Sequence, residues 1–237
     1  MHRTPHRLAV LLAAALLLTA CANTVDNLKV AAGDTLRNTL AFHFSRQFGK
    51  SIGVVIQGLA AEGGFLDNPL VRVLLPPPVG LVIDVARDFK QNPRAALLET
   101  VMNRAAEQAI PGAGPILQAV LADMDKADMQ GLFDAGKTAT TDHLREKAGS
   151  AVREALLPVI SEKLAAGGAV EIYGELLKAH QATTLIAGTP DDAPPPVAPE
   201  DLDDYVTDRA VDGLFRALGD REALIREGIA NLERGSL

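Results

Sequence analysis

Residues 35–61 read TLRNTLAFHFSRQFGKSIGVVIQGLAA, and in them Leu36, Leu40, Phe44, Phe48, Ile52, Val55 and Leu59 recur every three or four positions. That spacing lays an apolar stripe along one side of an α-helix, because side chains three and four residues apart share a face. Asp34, just ahead, suits the N-cap. The stretch predicts one long amphipathic helix, or two that part near Gly49 or Gly53. Such a stripe has to be covered by other helices, and the rest of the chain supplies them.

Gly63-Gly64 ends this helix. Residues 65–78, FLDNPLVRVLLPPP, join an Asn-Pro turn, a brief β-branched run and three prolines, which predicts an ordered loop with at most a short strand. Residues 79–89 predict a short apolar helix. Asn92 and Pro93 then supply an N-cap and a first-turn proline for a helix ending at Ile110, with Leu97, Val101, Ala105 and Ala109 as its inward stripe. After a turn at 111–115, short helices are expected at 116–124 and 126–133. A longer helical stretch follows at 138–166, with Gly149 and Pro158 as its interruptions. Gly167-Gly168 separates it from a helix at 169–186. Residues 189–199, TPDDAPPPVAP, are acidic and proline-rich and predict a linker. Beyond them, residues 200–218 form an amphipathic helix that carries Tyr205, Val206, Val211, Leu214, Phe215 and Leu218, and 221–232 form another. Too few segments alternate for a sheet. The expectation is all-α: a single helical bundle domain over 34–237 with a Pro-rich ordered loop, its C-terminal helices at 200–234 packing back on the bundle.

The first residues have a different character. His2, Arg3, His6 and Arg7 form a positive region, followed by LAVLLAAALLL at residues 8–18, too short for the ~20 apolar residues of a spanning helix. Leu18-Thr19-Ala20-Cys21 then looks like the lipobox of a lipoprotein signal peptide. Residues 1–20 are therefore expected to be cleaved and residues 21–33 to form a tether, with a lipid on Cys21. An ordinary secretory signal and an uncut anchor are the alternatives. Cys21 is the single cysteine of 237 residues, and acylation consumes a thiol that has no intrachain partner. Resemblance to Gram-negative lipoproteins, with Ala22 where a retention signal would place Asp, implies the periplasmic face of the outer membrane.

Three blocks carry a family resemblance: GGFLDNPLVRVLLPPP at 63–78, MNRAAEQAIPGAGPIL at 102–117 and LDDYVTDRAVDGLF at 202–215. In matching order over roughly residues 62–218, they resemble a bacterial family catalogued as domain of unknown function 4197, whose members are exported and helical. The resemblance implies placement and fold, and almost nothing about activity. This chain departs from it at Val73-Leu74-Leu75-Pro76, where relatives tend to read IPLP, and in its longer proline-rich segment at 189–199.

Composition narrows the chemistry. A net charge of −7 opposes phosphate-backbone binding, and zero Trp with two Tyr and seven Phe leaves little for base or sugar stacking, so no nucleic-acid partner is expected. His43, His143 and His180 stand apart in sequence and read as isolated side chains. The serines lack a nucleophile elbow. No cofactor and no metal is expected. The sharpest polar pattern is Asp204, Asp208 and Asp212 at i, i+4 and i+8, three carboxylates that repel one another unless a positive group meets them. Candidates for that group are Ca²⁺, a basic partner surface, or Arg72, Arg104 and Arg209; alternatively Asp201 and Asp203 cap the helix and the others are solvated. Arg104 and Glu107 lie among Ala105, Ala106 and Ala109, small residues that let another helix approach. The expectation is one polar seam in which Arg72, Arg104 and Glu107 join Asp204, Asp208 and Asp212. Function is expected to be that of a membrane-tethered, non-catalytic module that binds a protein or another envelope component. A carrier of an apolar ligand between helices and a hydrolase using Asp204 and Asp208 are the alternatives.

Overall fold

Pro93 opens a helix because Asn92 turns its side chain back onto the exposed amides of Arg94 and Ala95, both at 3.2 Å, and proline has no amide to leave unpaired. Asp125 starts another helix in the same way, accepting from the Asp128 amide at 2.8 Å, in the computed structural model, which describes residues 35–79, 92–187 and 195–235. Helix α1 covers 35–60, α2 Pro93–Ala109, α3 Ala113–Asp123, α4 Lys126–Ala135, α5 Ala139–Ala166, α6 Ala169–Ala187 and α7 Leu202–Gly235. No strand occurs among the described residues. The signal peptide, Cys21 and the tether, most of the helix expected at 79–89, and the first part of the linker at 189–199 lie outside them.

Helix α5 is the axis of the bundle: α2, α3 and α7 pack most closely on it, with α4 and α6 beside them. Its Leu144, Ala148, Val152, Leu156, Ile160 and Leu164 repeat at four-residue intervals, and none is more than 1% exposed. At ~1.5–3 kcal/mol for each large buried aliphatic side chain, that row outweighs the ~3 kcal/mol a proline costs inside a helix. This explains a correction: α5 runs unbroken through Gly149 and Pro158. At the C-terminus, too, one helix replaces the expected pair. Leu214, Leu218, Ile225 and Ile229 keep a continuous buried stripe across Gly219 and Asp220.

Helix α1 is also continuous through Gly49 and Gly53. Its stripe begins later than its sequence suggests, with Leu36 exposed and Phe44, Phe48, Ile52 and Leu59 buried. Phe44 meets Phe133 of α4 at 5.6 Å between ring centres, and Gln118 of α3 donates to the Gly49 carbonyl at 2.9 Å. The inward stripe of α2 is rotated from the expected one: Leu97 is exposed, while Leu98, Met102, Ala105, Ala106 and Ala109 are buried. The rotation makes room for polar side chains on a second buried face.

Candidate binding groove

That second face carries Glu99, Asn103 and Glu107 at i, i+4 and i+8, each no more than 2% exposed. All three are engaged with the loop at 62–78. Glu107 Oε1 accepts from the amides of Phe65 and Leu66 at 3.1 and 3.2 Å. Asn103 takes both main-chain groups of Val73, accepting from its amide and donating to its carbonyl, each at 2.8 Å. Glu99 holds Arg72. Burial alternates residue by residue along the β-branched run, as it does in an extended strand, but side chains from a helix occupy the positions that a neighbouring strand would take, and no strand is formed.

This alternation makes the loop two-sided. Val71, Val73 and Leu75 point into the core, while Leu70, Arg72 and Leu74 point out. The loop closes on α7 at Gly213, where a Cβ would lie 2.9 Å from the Phe65 ring and 3.1 Å from Val71 Cβ. Tyr205 donates to the Leu74 carbonyl at 3.1 Å, and Arg216 reaches the Leu70 carbonyl at 3.4 Å.

Between this loop, α7 and the first turns of α5 lies an open groove of about 700 Å³. Four guanidinium groups line it, those of Arg72, Arg145, Arg209 and Arg216, with the carboxylates of Asp142, Asp212 and Asp220. Arg145 pairs with Asp212 and lies over the Phe215 ring at 5.4 Å; Arg209 reaches the same carboxylate at 3.3 Å and lies over Tyr205 at 5.8 Å. One Asp thus serves two cations, each backed by an aromatic face. Burial pushes the Tyr205 phenol up, against the pull of Arg209. Tyr173, which donates to the carbonyls of Val197 and Pro77 at 3.0 and 3.3 Å, is pushed up to about 12, mainly by burial and further by Tyr205. These two phenols tie the far end of the loop to α6, α7 and the linker.

The single seam expected from the sequence is divided in two. Arg72 turns to Glu99, and Arg104 turns to Glu107 at 2.7 Å and Glu62 at 2.8 Å, its pKa raised chiefly by the bond to Glu107. The Asp face is met from α5: Arg153 holds Asp208 at 2.8 Å and also Asp204, and Arg145 holds Asp212. The reason is register. Arg145 and Arg153 are eight residues apart on α5, as Asp204 and Asp212 are on α7, so the antiparallel pair brings like spacings together. Of the residues singled out in the sequence, Arg72, Arg209 and Asp212 share the groove.

Sequence reasoning missed Glu222 and Arg226. Glu222 is fully buried and accepts from the amides of Thr140 and Thr141 at 3.0 and 2.7 Å, capping the start of α5 from another helix. Arg226 pairs with it at 2.9 Å, donates to the Phe133 and Leu132 carbonyls that end α4 at 2.7 and 3.0 Å, and lies 4.2 Å over the Phe44 ring. Helices α1, α4, α5 and α7 meet at this pair. An i, i+4 Glu and Arg interrupting an apolar stripe was the available signal.

Among the described residues no histidine lines the groove, and no three His, Cys, Asp or Glu side chains group as a metal site. No described helix is long and apolar enough to cross a membrane. A family model described as a protein of unknown function (DUF4197) matches residues 44–235, which takes in the whole groove and the Glu222–Arg226 pair. No curated protein and no solved structure matches the chain.

Proposed function

Since the chain belongs to this DUF4197 family, whose description names no activity, we propose a function from the groove itself. The protein is a non-catalytic binding module of the bacterial envelope, held to the membrane by a lipid on Cys21, and the arginine-lined groove is its recognition surface. One observation carries the reading: the loop that forms the groove wall is fixed by buried contacts from Glu99, Asn103 and Glu107, so its backbone is already ordered before a partner binds. An open, guanidinium-lined wall favours a polar partner over an apolar molecule enclosed between helices. The tether reading rests on the charged start, the uncharged run at 8–18 and the Leu18-Thr19-Ala20-Cys21 sequence.

Photo-crosslinking in cells tests the recognition surface. A benzophenone side chain placed at Leu70, 60% exposed on the groove rim, should yield an adduct that the same group at Val54, 57% exposed on α1, does not. Identical patterns from the two sites would remove the groove from the proposal. Cys21→Ser should shift the protein from the membrane to the soluble envelope fraction, because the acyl chains supply the attachment.

A further inference from the structure

The dimensions of the groove restrict its partner. Its α7 wall runs from Tyr205 to Asp220, a length of ~22 Å at ~1.5 Å per residue. That length matches roughly seven residues of extended chain at ~3.3 Å each. Its guanidinium groups are spread along this length. Arg209 and Arg216 are two helical turns, ~10 Å, apart on α7, Arg145 faces them from α5, and Arg72 stands on the loop. A single small anion would touch one or two of them, whereas a chain bearing several carboxylates would touch them in turn.

The loop wall adds a chain-like complement. Its residues alternate between exposed and buried from Leu70 to Leu75, and Val73 directs its main-chain groups to Asn103 on the core side. Leu74 faces the opposite way: its carbonyl takes the Tyr205 hydroxyl, and its amide meets no acceptor among the described residues. Leu70 and Leu74 are 60% and 50% exposed on this edge. Together these offer a main-chain donor and two apolar contacts beside a row of cations.

We propose that the groove binds an extended peptide segment in which acidic and apolar residues alternate. Its carboxylates meet Arg145, Arg209 and Arg216, its apolar side chains cover Leu70 and Leu74, and one of its carbonyls accepts from the Leu74 amide. Asp142 and Asp220, at the far end, repel a carboxylate placed there and so limit where the acidic residues can sit. The assignment rests on the groove being the recognition surface.

The test uses the mature chain and a fluorescein-labelled octapeptide of alternating Glu and Val, blocked at its C-terminus, followed by anisotropy. Saturable binding that weakens with salt is expected, because the contacts are solvent-exposed charge pairs. Arg216→Glu should weaken it about fivefold or more, the scale of reversing one exposed pair, without unfolding the chain, since Arg216 is exposed and its bond among the described residues is to the Leu70 carbonyl. Arg209→Gln should act in the same direction. Arg153→Ala, outside the groove, should leave affinity unchanged. Equal binding of a Lys-Val octapeptide, indifference to both groove variants, or displacement by inorganic phosphate at about millimolar concentration would overturn the proposal, the last by revealing a simple anion site. An adduct at Leu70 without octapeptide binding would reject the peptide assignment alone; no adduct at Leu70 would reject the recognition surface beneath it.

Discussion

Two rows of polar residues with the same i, i+4, i+8 spacing lie on different helices and have opposite fates. Glu99, Asn103 and Glu107 on α2 are buried and bound to loop backbone or to Arg72, whereas Asp204, Asp208 and Asp212 on α7 are partly exposed and paired with arginines of α5 and α7. The first row replaces water around main-chain groups, so losing a member strands a buried donor or acceptor. The second replaces water around charges that water would solvate almost as well. Spacing therefore identifies a face and leaves its energetic weight to what covers that face.

The largest effect should come from placing the comparison on one helix. Glu222 lies ten residues beyond Asp212 on α7, fully buried where Asp212 is not. Glu222→Ala would leave Arg226 buried without its carboxylate and uncap α5, so a loss of ~3–5 kcal/mol in urea unfolding is expected. A loss below ~1 kcal/mol would show that water replaces the carboxylate and that burial is not what separates the rows. Next, Asn103→Ala should cost ~2–4 kcal/mol, because both main-chain groups of Val73 lose their partner. Hydrogen exchange should localise that loss to the loop at 62–78 rather than to α5.

The phenols sharpen the comparison by pH. Tyr173 is raised from its ordinary 10.0 to about 12, so the folded state holds its proton more tightly than the unfolded chain does. That contribution is complete below pH 10 and is lost as pH rises through about 12; the shift amounts to on the order of 2 kcal/mol. Melting curves between pH 9 and 12 should fall accordingly, and Tyr173→Phe should flatten the fall. A variant profile as steep as that of the parent would assign the alkaline loss elsewhere. The smallest effect belongs to the exposed row. Asp208→Asn should change stability by less than ~1 kcal/mol, and high salt should erase the difference. A loss matching that of Asn103→Ala would abolish the distinction between the rows.

The helices are legible because their apolar residues repeat and their starts carry recognisable caps, as Asn92-Pro93 shows. The breaks are less so: Pro158 and Gly219 carry local penalties that tertiary burial overrides, and no local rule measures that burial. The loop at 62–78 can be read as ordered from its prolines, yet its attachment depends on Asn103 facing Val73, thirty residues earlier. Arg72, Arg209 and Asp212 stand out in the sequence as polar residues of interest. Arg145, Arg153 and Arg216 do not, because a lone arginine on a helix has no periodic signature, and its role emerges only when two helices align.

Helix α7 is unbroken from Leu202 to Gly235, a rod of ~50 Å. Its first half is the wall of the groove and its second half holds Glu222 and Arg226, so occupancy and global folding become linked variables. Any molecule that lodges only in the folded groove raises the unfolding free energy by mass action, ~2.7 kcal/mol at a hundredfold excess over its dissociation constant. A rise in melting temperature is thus enough to single out an occupant from a panel of peptides, with no turnover to follow and no label to attach.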